Sequence, residues 1–98
     1  MTAITQNELG EHSRLRPAGG VYARPFGEEL VLLEFGRGEY FALDEIGAHV
    51  WRSLEAGRDL AAIADEIAVD YDVGAAQALA DILALVRDMQ SRALVDVI

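Results

Sequence analysis

The period of the apolar residues changes within one short stretch, Tyr40–Gly47, and this change constrains the fold more than any other feature of the chain. Before the stretch, apolar residues alternate or run in short blocks, which is typical of strands. After it, they recur every three to four residues, which is typical of helices. Asp44 lies at the change, where a carboxylate can accept the free amides of a first helical turn. The sequence therefore predicts an α+β domain, with a β-region followed by an all-helical remainder.

Three strands are predicted in the β-region. They are Val21–Arg24, the continuous apolar run Leu30–Phe35, and Glu39–Leu43. Proline and glycine in Pro25–Glu28 and Gly36–Gly38 favour tight turns between them. The three strands should form an antiparallel meander in which Glu39–Leu43 is the last strand.

Three helices are predicted to follow, over about Glu45–Leu54, Leu60–Val69 and Ala75–Ala93. Gly57 is suited to end the first helix, and Asp59 is suited to cap the second. The last five residues alternate in polarity, as a short returning strand would. Residues 1–20 carry little pattern, so they are assigned to a flexible N-terminal segment and residues 21–98 to one domain.

The composition restricts the function. Seventeen acidic residues stand against eight arginines, which gives a net charge of −9 and disfavours nucleic acid as a partner. The chain has no cysteine, which excludes disulfides and thiolate metal sites. No apolar run is long enough for a membrane span and no signal pattern begins the chain, so a cytoplasmic protein without a membrane partner is expected.

No catalytic constellation is apparent. The two histidines, His12 and His49, lack carboxylates at ligand spacing, and the hydroxyl residues lack a glycine elbow or a neighbouring base. We therefore expect no metal, no cofactor and no enzymatic activity. The function should lie in a binding surface.

The third predicted helix is apolar over too wide an arc for a helix that buries one side. At 100° per residue, its apolar residues cover about 160°, whereas a buried stripe needs about 100°. The residues concerned are Leu79, Ile82, Leu83, Leu85, Val86 and Met89. Three interpretations would account for the excess width of this apolar arc: enclosure between the other helices, a homodimer interface, or a binding groove.

Two spaced patterns in the chain resemble a known family. The first is Tyr40-x-x-Leu43-Asp44-x-x-Gly47-Ala48-x-x-Trp51-x-x-Leu54-x-x-Gly57, followed by Ile63, Ile67 and Tyr71. The second is Asp81-Ile82-x-x-Leu85-Val86-x-x-Met89-x-x-x-Ala93-Leu94-Val95. Together they resemble the PqqD-like family, the recognition elements for precursors of ribosomally synthesised, post-translationally modified peptides. The family often has asparagine at the position of Asp44 and threonine before the second helix, where this chain has Arg58-Asp59.

The resemblance implies a winged-helix-like fold, with a three-stranded antiparallel sheet followed by a three-helix bundle. It also implies non-catalytic binding of the leader segment of a precursor peptide, which would join the edge of the third strand beside the third helix. The leader-binding residues expected on this basis are Glu39, Tyr40, Phe41, Ala42, Ala78, Asp81, Ile82, Leu85 and Met89. Within the third helix, Leu85 and Met89 are assigned to the groove and Leu79 and Val86 to the core, while Leu83 lies on the opposite margin.

The variant around Trp51 looks most like the lasso-peptide version of the family, whose partners are a leader peptidase and a macrocyclase. A peptide chaperone in a radical-enzyme pathway, such as quinone-cofactor biosynthesis, is the alternative. A winged-helix transcriptional regulator is a rival from another class, although Asp81 and Asp88 on the third helix oppose contact with DNA. The oligomeric state, monomer or homodimer, is left open.

Overall fold

Five strands and three helices follow one another in the computed structural model, which describes residues 9–98 of the chain. The elements are β1 (Leu15–Pro17), β2 (Val21–Phe26), β3 (Glu29–Glu34), β4 (Glu39–Leu43), α1 (Glu45–Glu55), α2 (Leu60–Asp70), α3 (Ala75–Ser91) and β5 (Val95–Val97). The prediction of a three-stranded antiparallel sheet followed by three helices is confirmed. No helix within residues 9–98 is long and apolar enough to cross a membrane.

The main sheet has the order β2-β3-β4, with both pairs antiparallel. Leu30 faces Leu43 and Leu32 faces Phe41 across the second pair, on the side of the sheet that packs against the helices. β4 lies at one edge of this sheet. It therefore directs alternate backbone N–H and C=O groups away from β3.

The turn from β4 into α1 is held as the sequence predicts. The Asp44 carboxylate accepts a hydrogen bond from the Gly47 amide at 2.8 Å, which caps α1. A β-carbon placed on Gly47 would approach the Leu43 side chain to 3.1 Å, so the missing side chain lets α1 begin close against β4. Asp59 caps α2 in the same way, and the hydrogen bond from the Ala62 amide lowers the pKa of its carboxyl.

The core lies between the sheet and the helices. Trp51 is the largest fully buried side chain of the core, which also contains leucines from β3 and β4. The buried residues of α3 are Ala78, Ile82, Val86 and Met89. At 100° per residue these four occupy only about 80° of the helix surface, so the apolar residues on both flanks of this stripe remain partly exposed.

A second sheet differs from the prediction of a flexible segment over residues 1–20. β1 pairs antiparallel with β5, and Leu15 is fully buried. The amide of Ile98 donates to the Arg14 carbonyl at 2.9 Å, and the Leu60 amide donates to the Ser13 carbonyl at 3.1 Å. The burial of Leu15 and these hydrogen bonds order the segment. Residues 1–8 of the predicted segment lie outside the described residues.

Two element boundaries also differ from the prediction. β2 continues through Pro25 to Phe26. Proline has no N–H to donate, but it is tolerated here because β2 is an edge strand that pairs with β3 on one side only. α3 ends at Ser91, two residues before the predicted Ala93. Ala93 has φ +59°, a left-handed conformation that terminates the helix.

Candidate functional site

A groove of about 490 Å³ opens between the end of β4, the start of α1 and the first half of α3. We call it the β4–α3 groove. It is lined by Phe41, Ala42, Leu43, Asp44, Ile46, Gly47, Val50, Ile67, Val73, Ala78, Asp81, Ile82 and Leu85. Its position is the one predicted for a binding surface beside the third strand and the third helix.

The interior of the groove is apolar. Ala78 and Ile82 are buried in α3, and Leu85 is partly exposed beside them. Small residues at positions 47 and 78 leave room that larger side chains would fill. Such a cavity can accept the apolar side chains of a ligand.

Two carboxylates lie among the lining residues. Asp81 accepts a hydrogen bond of 2.8 Å from the side-chain amide of Gln77, and Asp44 accepts one from the backbone amide of Gly47. Both side chains belong to exposed residues. The groove is thus suited to an apolar anchor flanked by a neutral or basic group.

The exposed edge of β4 runs beside this groove. Among residues 9–98, β3 is the only strand that pairs with β4. A row of free backbone donors and acceptors next to apolar cavities is what strand addition by an extended peptide requires.

The first residues of β4 lie beyond the groove. Glu39 and Tyr40 border a small depression together with Arg92 and Leu94. Here the Arg92 guanidinium stacks on the ring of Phe41 at 4.9 Å from the centroid. The Arg92 carbonyl accepts a hydrogen bond of 2.7 Å from Arg37. The end of α3 is therefore held against β4.

The structure brings six of the nine predicted leader-binding residues together in the groove. These six are Phe41, Ala42, Ala78, Asp81, Ile82 and Leu85. Glu39 and Tyr40 lie further along the same edge. The groove opens on the margin of α3 that carries Leu85, and Leu83 on the opposite margin does not line it.

Met89 requires a correction. It is 0% exposed and does not line the groove, so its predicted place beside Leu85 is wrong. The helical positions of Met89 and Leu85 differ by about 40°, which moves Met89 into the buried stripe of α3. Leu79, which was assigned to the core, is only partly buried and packs against it.

Seven of the lining residues were not among the predicted leader-binding residues, and two of these seven, Ile46 and Val73, are exposed apolar residues. Ile46 lies in the first turn of α1 and is exposed beside the groove. Val73 lies in the loop before α3, where no periodicity indicates the direction of a side chain. An apolar residue in an otherwise polar loop was the only available signal.

A second, polar cavity of about 560 Å³ lies on another part of the surface, between α1, α2 and the β2–β3 turn. His49 and Ser53 both contact Glu66, at 3.0 and 3.2 Å, and Arg58 pairs with the same carboxylate. These four polar side chains are therefore partnered with one another, and His49 is half-buried.

Two groups of this polar cavity have shifted pKa values. Partial burial and then the hydrogen bond to Glu45 raise the pKa of the Tyr71 hydroxyl. A hydrogen bond with Glu45 and the charge of that carboxylate raise the pKa of Glu28. Both shifts favour the protonated side chain beside Glu45.

A match to a known protein family establishes which family this chain belongs to. Residues 29–95 match the family described as Coenzyme PQQ synthesis protein D (PqqD). The chain belongs to the PqqD family. The resemblance drawn from the spaced motifs is confirmed, and the matched range includes β3, β4, all three helices and the whole groove.

Solved structures similar to this PqqD-family chain include two complexes. One is TbiB1 in complex with the TbiA(beta) leader peptide, with 28% identity, a TM-score of 0.78, and coverage of 83% of this chain and 94% of that one. The other is a lasso peptide synthetase B1 complexed with the leader peptide, with 25% identity, a TM-score of 0.80, and coverage of 85% and 98%. The comparison with curated proteins gave no significant match.

Proposed function

We propose that this PqqD-family chain binds the leader segment of a ribosomally synthesised precursor peptide. The leader adds as a strand to the free edge of β4 and places apolar side chains in the β4–α3 groove. Backbone hydrogen bonds along the edge supply affinity, and the groove selects the side chains at alternate positions.

One observation carries this proposal. The free edge of β4 and an apolar groove of about 490 Å³ lie side by side, so that one extended peptide can occupy both. Two structures similar to this chain over more than four-fifths of its length are complexes with leader peptides, which supports a peptide as the occupant.

The second of those complexes, that of a lasso peptide synthetase B1, supports a place in lasso-peptide biosynthesis. The chain would then present the precursor to a leader peptidase and a macrocyclase, in the cytoplasm where the precursor is made. In this proposal its role is non-catalytic. The polar groups of the second cavity bind one another instead of forming a nucleophile with its base.

A titration with a fluorescent leader peptide tests the proposal. The probe is the leader segment of the precursor encoded beside the gene for this protein, and the control is a scrambled peptide of the same composition. We expect saturable binding of the leader and at least tenfold weaker binding of the scrambled peptide. Equal affinities for the two peptides would contradict sequence-selective leader recognition.

A further inference from the structure

Asp81 is a groove residue whose negative charge has no cationic partner in the part of the chain that the structure describes. Its Oδ1 accepts one hydrogen bond, of 2.8 Å, from the side-chain amide of Gln77. A carboxylate has about four acceptor sites, so Oδ2 remains available to a ligand. In the same part of the chain, the arginines that form ion pairs are Arg37, Arg58 and Arg92, and none of them pairs with Asp81.

The surroundings of Asp81 combine this charge with an apolar wall. Ala78 and Ile82 beside it are buried, and Leu85, one turn further along α3, is partly exposed. Asp44, the other carboxylate of the groove, already caps α1. A lysine or arginine can lay its apolar stem along such a wall and bring its charged head to a carboxylate at the edge. The position therefore fits a basic side chain of the ligand better than an acidic one.

The direction of a bound leader follows from how β4 lies against α3. The middle of β4, at Phe41, contacts Arg92 at the C-terminal end of α3. The end of β4, at Leu43, lies in the groove with Ala78 and Ile82 from the first half of α3. β4 and α3 therefore run in opposite directions. Both strand pairs of the main sheet are antiparallel, and a leader that adds to β4 in the same manner runs in the direction of α3.

The spacing of Asp81 and Leu85 matches the spacing of side chains on one face of a strand. The two residues are four positions apart in α3, which is about 6 Å along the helix axis and about 40° around it. Side chains on one face of a strand recur at every second residue, which is roughly 7 Å. A leader that runs along α3 therefore places one side chain beside Asp81 and the side chain two residues later beside Leu85.

We infer that Asp81 selects a lysine or arginine in the leader, located two residues before the apolar residue that contacts Leu85. This inference rests on the proposed function and adds a specificity that an apolar groove alone does not supply. The basic side chain pairs with the Asp81 carboxylate at the edge of the groove. The leader residue between the basic and the apolar residue points to the opposite face of the sheet.

The test is a double-mutant cycle between Asp81 and the leader. The probe is the fluorescent leader segment of the precursor encoded beside the gene, together with versions in which one lysine or arginine at a time is replaced by glutamine. Asp81→Asn removes the charge and keeps an oxygen for Gln77. Asp65→Asn is the matched control, because Asp65 is an exposed acid of α2 that does not line the groove.

At low ionic strength, Asp81→Asn should weaken leader binding about three- to fivefold, the upper range for an exposed ion pair. The loss should fall below about twofold at 0.5 M salt, because exposed charges are screened. Asp65→Asn should stay within about 1.5-fold of the wild type at both salt concentrations. One glutamine replacement in the leader should cost the wild type the same factor as Asp81→Asn and cost the Asp81→Asn protein nothing further. A parallel cycle with Leu85→Ala and single alanine replacements in the leader locates the apolar residue, which should lie two positions later.

A charge swap separates pairing from a structural role of Asp81. Asp81→Arg should bind the unchanged leader at least tenfold more weakly than the wild type does. It should bind a leader with glutamate at the basic position at least threefold more tightly than it binds the unchanged leader. Circular dichroism checks that the variants fold, as expected for substitutions at an exposed position.

Three outcomes would overturn the inference while leaving leader binding in place. They are the absence of coupling between Asp81 and any basic residue of the leader, equal losses in Asp81→Asn and Asp65→Asn, and coupling to a basic residue that follows the apolar one. The second would assign the effect to net charge, and the third would reverse the direction of the leader. Failure of the wild type to bind its leader would instead contradict the proposed function.

Discussion

The guanidinium of Arg92 lies over the ring of Phe41, 4.9 Å from its centroid, and so joins the end of α3 to the middle of β4. These two elements form opposite walls of the proposed leader site. The same Arg92 is held by Asp88 at 3.2 Å on its own helix. The stacked cation thus holds the end of α3 against β4 at one end of the site, while at the other end Gly47 lets α1 begin close against β4.

Replacing Arg92 by alanine should weaken leader binding modestly. An exposed cation–π contact contributes about 0.5–1 kcal/mol, which corresponds to a loss of about two- to fivefold in affinity. Arg87→Ala is the control, because Arg87 is an exposed arginine of the same helix that does not line the groove. Isothermal titration with the leader measures both variants, and equal losses would mean that net charge alone is responsible.

Leu85→Ala should reduce leader affinity at least about tenfold, a change of about 1.4 kcal/mol. Leu85 lines the groove and is only partly buried, so the cost in stability should stay below the 2–5 kcal/mol typical of a core leucine. Leu83→Ala, on the opposite margin of α3, is the control. If a well-folded Leu83→Ala protein lost leader binding while Leu85→Ala kept it, the site would lie on the margin of α3 that carries Leu83.

Met89→Ala should act on stability instead of binding. Met89 is fully buried, and truncation of a core methionine costs about 2–5 kcal/mol. Urea unfolding measures this loss, and the fraction that remains folded should bind the leader within about twofold of the wild type. A small stability loss with a large affinity loss would show that Met89 contacts the leader directly.

Leader binding should protect the amides of residues 39–42 against hydrogen exchange. Strand addition pairs the outward N–H groups of β4, which are free of strand partners among residues 9–98. Exchange followed by mass spectrometry, with and without saturating leader, measures this change. β2 is the internal control, because it occupies the other edge of the sheet. Protection of β2 without protection of β4 would show that the peptide adds to the β2 edge, which does not border the proposed groove.

Leader affinity should persist at high salt. The protein carries a net charge of −9, so a basic leader should associate faster at low ionic strength than an acidic one. Exposed charges are screened beyond about 10 Å at 0.1 M salt, whereas apolar anchors in the groove are not weakened by screening. Raising the salt to about 0.5 M should cost less than tenfold in affinity. Abolition of binding would show that charge, and not the groove, holds the leader.

Much of the fold was predictable because local signals agree with the tertiary structure. β4 has the predicted bounds, and all three helices begin at the predicted residues, since Asp44 and Asp59 cap the helices they precede. The sheet of β1 and β5 was harder to predict. The alternation of the last five residues predicted β5, whereas the three residues of β1 are too few to show a period, and β1 and β5 lie about eighty residues apart in the chain.

The candidate site was predictable in position but not in every side chain. Helical spacing indicates that Leu85 and Met89 lie on one side of α3, yet it does not show what covers each of them. The structure buries Met89 and leaves Leu85 beside the groove. Val73 and Ile46 join the site through the close approach of a loop and a helix start to α3, which no local pattern encodes.

The pairing of β1 with β5 brings the two ends of the folded domain together. The Ile98 amide reaches the Arg14 carbonyl at 2.9 Å, so residues 14 and 98 are neighbours in space. A short linker could therefore join these two positions, and new ends could be opened in the loop at Gly57. Circular permutation would then leave the main sheet and α3 uninterrupted, with both new ends in the loop between α1 and α2.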